Sequence, residues 1–379
     1  MKKMYYNALF ASLLLAGCGN QTASSVDTSD PQLKTINFGT EPGDGEEAYI
    51  CNETIQEFYD NYSKGYSLKY QGNGDIFASD GLTLRWSTYA KAHHYGIQLS
   101  VKESGDYELK FDNVSKNEIC IPDLLINQSY RWQILSYNEL GELIADSPEY
   151  TFTTVGTPRT ISIEGVSNSR DIGGYITASG KRVKQNMVFR SAKLDGITDE
   201  GIEKATNYYG IKTDLDLRNP ATDTGMNAFA SPLGDDINYI NIPGCYWTGG
   251  SNGCDVSANF ANMAKEMRVF TKEENFPMVI HCSIGQDRTG SLCLLLGALL
   301  GVNGKDLSMD YEMSSFSSAA GGADIKVTDK FTYQYNPLFN YFNSFADEDL
   351  MLSAEKYCIE KLGLTEEEIA SIRNNLLEK

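Results

Sequence analysis

Residues 281–290 read His-Cys-Ser-Ile-Gly-Gln-Asp-Arg-Thr-Gly, and five residues separate Cys282 from Arg288. A thiol is a poor nucleophile at its free pKa of about 8.5, so a catalytic cysteine needs surroundings that stabilise its thiolate. A short loop whose backbone N–H groups turn inward and end at a helix N-terminus provides them. The same stretch, Ser283, Ile284, Gly285, Gln286, Asp287 and Arg288, can hold the non-bridging oxygens of a phosphate group. Gly285 permits the tight turn. Arg288 offers a bidentate fork that lysine cannot imitate. Thr289 places a hydroxyl where it can hydrogen-bond the sulfur as it departs. Such a set can attack phosphorus, form a cysteinyl-phosphate and release it to water.

A loop of this kind needs a rigid strand before it and a helix after it. Met278-Val279-Ile280 reads as a buried strand, and Thr289 to Leu300 as an apolar helix stopped near Gly301. After the linker Val155-Gly156-Thr157-Pro158 the patterns alternate between β and α. That alternation predicts an α/β domain over 159–379, a parallel sheet flanked by helices. Further strands fall at Met187–Phe189, Ile211–Leu217 and Tyr239–Ile242. Helices are expected over Thr198–Tyr209, Ala258–Thr271, Asp306–Met313 and Thr365–Leu377. The first opens on an N-cap threonine and stops at Gly210; the last opens on a Thr365/Glu368 capping box.

Upstream the period changes to two. Leu82-Thr83-Leu84-Arg85-Trp86, Tyr95 to Val101, Tyr130 to Leu135 and Tyr150 to Thr153 alternate, with turn signals at Glu103–Asp106 and Asn138–Gly141. Short alternating strands around a buried Trp predict an antiparallel β-sandwich over 46–155. Its N-terminal extension, residues 46–62, reads as a short helix with Ile50, Ile55, Phe58, Tyr59 and Tyr62 partly on one face. The stretch resembles a fibronectin type III domain through Leu84 and Trp86, Tyr130 and Trp132, and the closing Tyr-Thr-Phe-Thr-Thr. The resemblance implies either ligand binding or a spacer that sets the following domain away from a surface, and the spacer is preferred.

The loop at 281–290 resembles the signature of the protein tyrosine phosphatase superfamily: His-Cys, five residues, then Arg and Thr or Ser. Rhodanese and arsenate reductase share the cysteine–loop–arginine logic, but His281, Gly285 and Thr289-Gly290 match the phosphatases better. Arg170-Asp171-Ile172-Gly173-Gly174, Phe189-Arg190-Ser191-Ala192 and Asp214-Leu215-Asp216-Leu217-Arg218 are similar, in order, to segments of the bacterial tyrosine/serine phosphatase family. The resemblance covers about 160 to 320 and implies a dual-specificity-phosphatase-like fold without a cofactor or metal. For Arg170, Asp171 and Arg190 a buried ion pair is the preferred reading over a catalytic one.

A leaving oxygen needs a proton, usually from an Asp near the phosphate. Asp287, inside the loop where the resembling family also carries Asp, is the first choice. Asp255, where dual-specificity phosphatases put a mobile acid, is second, and Asp216 third, with an ion pair to Arg218 the better account of Asp216. Gln286 departs from the family, which usually has Lys there. The missing cation implies preference for phosphotyrosine, or another aryl monoester, over inositol polyphosphates.

Composition narrows the partners. The formal net charge of −19 repels polyanions, so nucleic acid is excluded as a partner, and 41% hydrophobic residues spread along the chain describe a soluble globular class. Met1-Lys2-Lys3, then Met4 to Ala16, then Leu15-Ala16-Gly17-Cys18 resemble a lipoprotein signal peptide, 1–17, with Cys18 as the lipidated residue. Lipid there would tether the protein to a membrane it does not span. Residues 18–45 read as a flexible tether, and Gly19 favours the outer membrane of a bacterial envelope. Cys245 and Cys254 flank a Gly-rich loop and could close it, though the six cysteines left besides Cys18 and Cys282 permit fifteen pairings. No cysteine or histidine has metal-ligand spacing. The leading expectation is a lipid-anchored phosphatase for phosphotyrosine, with phosphoserine/threonine also in range. A phytase-like inositol phosphate phosphatase and a catalytically inert binding or adhesion module are the alternatives.

Overall fold

The computed structural model describes residues 33–63, 81–156, 158–223, 225–227, 229–321, 334–347 and 349–379. The leader, Cys18 and residues 19–32 of the expected tether lie outside the described residues. The chain divides into two units. One comprises residues up to 48, 82–121 and 128–154; the other comprises 49–81, 122–127 and 155–379.

The first unit is built where the sequence alternates. Its strands are β1 (Lys34–Thr35), β2 (Thr40–Glu41), β3 (Glu46–Tyr49), β4 (Leu82–Trp86), β5 (His94–Val101), β6 (Leu109–Val114), β7 (Glu118–Ile121), β8 (Ser129–Tyr137), β9 (Leu143–Asp146) and β10 (Tyr150–Val155). One sheet runs β1-β9-β8-β10-β3, with β5 and β6 attached through β8; a smaller one runs β2-β4-β7. Alternation buries Tyr130, Trp132 and Ile134 on one face of β8, and Leu82, Leu84 and Trp86 on one face of β4. The rings of Trp86 and Trp132 meet at 6.4 Å, so the two sheets face each other across an aromatic core. Each fully buried ring removes ~150–250 Å² from water, about 4–6 kcal/mol of transfer free energy before conformational entropy is subtracted.

The expected tether over 18–45 is shorter than the sequence suggests. Lys34–Thr35 pairs with Ala145–Asp146, and Thr40–Glu41 with Arg85–Trp86. Between them Phe38 is buried, its amide donating to the Tyr150 hydroxyl at 2.7 Å. Two-residue strands held by main-chain bonds leave no apolar period to read. The helix expected over 46–62 is likewise cut down. Glu46–Tyr49 is strand β3, and the helix α1 (Glu53–Asp60) starts where Asn52 accepts from the Ile55 amide at 3.0 Å. Its apolar face, Ile55 and Phe58, packs on Met309, Met313 and Phe316 of the second unit, to which α1 belongs.

The second unit continues with β11 (Arg159–Thr160), β12 (Arg170–Asp171), β13 (Val188–Ser191), α2 (Asp199–Glu203), β14 (Thr213–Asp216), β15 (Asn238–Asn241), α3 (Ser257–Val269), β16 (Met278–His281), α4 (Asp287–Leu300), α5 (Gly304–Met313), α6 (Ser318–Gly321), α7 (Asn336–Asn343), α8 (Leu350–Glu360) and α9 (Glu366–Leu376). Its sheet has the order β11-β12-β13-β16-β14-β15. The four strands from β13 to β15 are parallel, as expected, but β11 and β12 are antiparallel additions at one edge. The sheet is therefore mixed rather than wholly parallel, and the short polar segments Arg159-Thr160 and Arg170-Asp171 gave no hint of strand. From Thr289 to Leu300 every residue of α4 is buried, the signature of a core helix packed on all sides. Gly301, at φ +87°, ends it in a left-handed turn. The capping box at Thr365 and Glu368 is formed, with both hydrogen bonds present. No helix among the described residues is long and apolar enough to cross a membrane.

Candidate active site

Parallel pairing sets Asp216 of β14 opposite His281 of β16, so the C-terminal ends of both strands open on one edge of the sheet. In open α/β sheets that edge is where ligands bind. Cys282 follows β16 directly and Asp287 begins α4, which leaves Cys282–Gln286 as the connecting loop. Its carbonyls are tied outward. Asn168 Nδ2 donates to the Ile284 carbonyl at 2.8 Å, and Arg190 Nη2 to that of Gly285 at 2.7 Å. With the oxygens held on the outside, the loop amides are free to converge on an anion in front of α4. Gly285 sits at φ +71°, and a Cβ there would come within 2.2 Å of the Ser191 carbonyl oxygen. Only glycine fits.

Cys282 is buried, which by itself would raise its pKa. The Arg288 guanidinium, then the neighbouring Thr289 hydroxyl and amide, outweigh burial and hold the thiol below its ordinary value. His281 sits beneath it, fully buried, with Nε2 3.0 Å from Asp214. Burial disfavours the imidazolium, but Asp214 and Asp216 more than compensate and raise the His281 pKa.

Arg288 is aimed by a residue the sequence reading missed. Asp223, on the loop after β14, receives Nη1 at 2.7 Å and Nη2 at 3.0 Å from Arg288, and the Ser283 hydroxyl at 2.6 Å. Burial would raise the Asp223 pKa, but the hydrogen bonds from Arg288 and Ser283 hold it well below the usual carboxylate range. Asp223 is therefore an anion that positions the guanidinium and is unsuited to donating a proton. Nothing near residue 223 in sequence signals this, since the partner lies 65 residues away.

The candidate acids separate by their surroundings. Asp287 accepts from the Tyr311 hydroxyl at 3.0 Å, which fixes its carboxyl at the start of α4 next to Arg288. Asp255 accepts the Gly249 amide at 3.1 Å and so ties down its own loop. Asp216 is chelated by Arg218, with Nε at 3.0 Å and Nη2 at 2.8 Å, and takes the Tyr239 hydroxyl at 3.1 Å. That is the expected ion pair. Gln286 is buried at the helix start.

Arg170, Asp171 and Arg190 form not one ion pair but two linked sets. Arg170 Nε donates to Asp310 at 2.8 Å, and Arg190 donates to the other oxygen of the same carboxylate. Asp171 instead takes Arg159 at 2.8 Å and the amides of Gly173 and Asn186, each at 2.7 Å. Asp310, on α5, is thus the hub that holds Arg190, which in turn holds the loop. A groove of about 270 Å³ opens beside the loop, lined by Ser283, Ile284, Lys193, Ser167, Gly165 and Ala319. Among the described residues, no group of three His, Cys, Asp or Glu is arranged to hold a metal ion.

A mixed sheet feeding a cysteine loop into a buried helix, with arginine at its far end, defines a class of protein. Residues 161–378 match the tyrosine phosphatase family, and the chain belongs to that family. It is 27% identical over 182 residues to the protein of Cupriavidus necator named "Putative tyrosine-protein phosphatase H16_A0669", a match covering 42% of this chain. The chain spans 64% of that relative's length. The core catalytic domain of the PP-IP phosphatase SIW14 from S. cerevisiae, solved with citrate, is 15% identical with a TM-score of 0.29, covering 49% of this chain and 92% of that one. An Fn3-like protein from Clostridium thermocellum is 17% identical with a TM-score of 0.17, covering 20% and 76%.

Proposed function

We propose that the protein is a lipid-anchored phosphatase of the bacterial envelope that hydrolyses phosphotyrosine, with phosphoserine and phosphothreonine as slower substrates. The observation that carries the catalytic reading is the environment of Cys282: a buried thiol held low by Arg288 and Thr289, at the mouth of a loop whose carbonyls are pinned outward. The Cys282 thiolate attacks phosphorus while the loop amides and Arg288 hold the three non-bridging oxygens. The bond to the leaving oxygen breaks, and Asp287 supplies its proton. Water then attacks the cysteinyl-phosphate, Asp287 takes a proton from it, and the sulfur leaves as a thiolate stabilised by Thr289.

Gln286, buried and uncharged where the resembling family has lysine, supports aryl monoesters over inositol polyphosphates. The test is kcat/KM for a phosphotyrosine peptide against inositol hexakisphosphate and a phosphoserine peptide, using purified residues 19–379. The tyrosine substrate should lead by at least ~10-fold, the worth of one well-placed cation lost from a polyphosphate site. A lead for the inositol phosphate would favour the phytase-like reading. Absence of turnover on every monoester would favour an inert binding module.

Anchoring rests on the lipobox-like Leu15-Ala16-Gly17-Cys18, and the β-sandwich, read as a fibronectin type III-like spacer, would hold the catalytic unit away from the membrane. Incorporation of labelled palmitate into the expressed chain, lost in Cys18→Ala, tests the anchor.

A further inference from the structure

Pro243, Gly244 and Cys245 lead out of the sheet beside the active site. Gly244 packs so closely on Arg288 that a Cβ there would lie 3.3 Å from the arginine's own Cβ. The chain then makes a hairpin-like loop, with Tyr246 N–H on the Asn252 carbonyl at 2.9 Å and Cys254 N–H on the Trp247 carbonyl at 2.8 Å. Tyr246 stands within the field of Arg288, and Trp247 lies against the Tyr311 hydroxyl that orients Asp287. Across the base of the loop the sulfurs of Cys245 and Cys254 approach to 2.6 Å. Both side chains are buried, under Met263 and Tyr357, whose hydroxyl donates to the Cys254 carbonyl at 2.8 Å. Two unbonded sulfur atoms repel inside roughly 3.5 Å, and a covalent S–S bond needs about 2.05 Å. Two separate thiols do not fit this space, and a cystine does.

We propose that Cys245 and Cys254 form a disulfide that clamps the loop carrying Tyr246 and Trp247 against the catalytic arginine and acid. One thiolate attacks the disulfide of a donor such as oxidised glutathione or an oxidised dithiol protein. The second then displaces the donor's remaining sulfur. The pair gives up two protons and two electrons, and the donor leaves reduced. Bond formation precedes burial, as the loop folds over α3. The assignment does not depend on the phosphatase reading, and its first test needs no turnover.

Trypsin cuts after Arg218 and Lys265, so both cysteines fall in one peptide that contains no other. The full chain is refolded in a glutathione redox buffer, alkylated under denaturing conditions without reductant, and digested. The 219–265 peptide should escape alkylation and be lighter than its reduced form by two hydrogens. Alkylation of both cysteines, or linkage of either to another peptide, overturns the assignment. The clamp is then tested in Cys282→Ser protein, which lacks the reactive thiol but keeps the pair. Reductant should lower the thermal midpoint by about 5–10 °C, the effect of opening a short cross-linked loop in a unit of this size. It should also increase acrylamide quenching of Trp247, read as the difference from Trp247→Phe. An unchanged midpoint and unchanged quenching would leave the bond without its positioning role and sink that half of the proposal. Loss of catalysis alone, with the peptide correctly linked, would count against the phosphatase reading and not against the disulfide.

Discussion

Among the described residues, the buried polar side chains of the unit built on β4, β5 and β8 are Ser100, Ser136, Ser147 and Thr154. The unit that carries Cys282 buries Arg159, Arg170, Arg190, Asp171, Asp214, Asp216, Asp310, Glu266 and His281. One core is held by sheet registry and aromatic faces, and its histidines, His93 and His94, stay at or near the surface. The other encloses charges that each cost several kcal/mol to desolvate unless paired. Where the charges are paired, they converge on the loop: Asp310 holds Arg190, Arg190 holds the Gly285 carbonyl, and Asp223 holds Arg288. Apolar alternation alone is enough to hold the first core. A phosphate loop needs a charged scaffold beneath it to keep its carbonyls facing the wrong way for an anion.

The largest effect expected falls on the nucleophile. Cys282→Ser should lower kcat on p-nitrophenyl phosphate by ~10⁴-fold or more without moving either unit's thermal midpoint, because it removes the reacting atom alone. Because Arg288 and Thr289 hold the thiol pKa low, wild-type inactivation by iodoacetate should have its pH midpoint below the free-thiol value of about 8.5. Thr289→Ala should move that midpoint up. A midpoint at or above the free-thiol value would contradict the site's electrostatics.

Next comes the scaffold. Asp310→Ala leaves Arg170 and Arg190 buried without their shared carboxylate, and stripping one partner from such a set costs roughly 3–5 kcal/mol. Urea unfolding should show that loss in the catalytic unit only, with the fluorescence of Trp86 and Trp132 reporting an unaltered sandwich. An equal loss in both would break the contrast drawn between the two cores.

The acid is smaller in effect. Asp287→Asn should lower kcat/KM by ~10²-fold on tyrosine phosphate and far less on p-nitrophenyl phosphate, whose leaving group needs no proton. Asp255→Asn should stay within about twofold on both, since a loop cap of this kind contributes little to the barrier. The reverse pattern would transfer the role to Asp255.

The smallest effect is one of pH. Glu266 on α3 is fully buried, and burial alone pushes its pKa up to about 8. Unfolded, it ionises near 4.3, so ionisation favours the unfolded chain and stability falls as pH rises from there to about 8, then levels. Glu266→Gln should flatten that slope and raise the thermal midpoint at pH 8 by a few degrees, as followed by calorimetry. A wild-type midpoint independent of pH over this window would show that Glu266 finds a partner in solution.

How much of this was legible in the sequence follows from the range of each interaction. Cys282, Gly285, Arg288 and Thr289 could be read because a phosphate loop is contiguous, and its geometry is set by spacing along one turn of chain. The caps at Thr198 and Thr365 and the alternation in β4 and β8 are equally local. Lys34–Thr35, Thr40–Glu41 and Arg170–Asp171 became strands through main-chain pairing with distant partners, and short polar segments carry no period that announces it. Asp223, Tyr311 and Asn168 reach the loop and the start of its helix from 24 to 116 residues away, Asp310 acts on it through Arg190, 120 residues from it, and α1 finds its core beside Met309 and Phe316. Cys282, Arg288 and the kind of fold that presents them are written locally in the chain. Only the tertiary structure decided what holds them in place, because ion pairs and hydrogen bonds act over a few ångströms of space and are indifferent to distance along the chain.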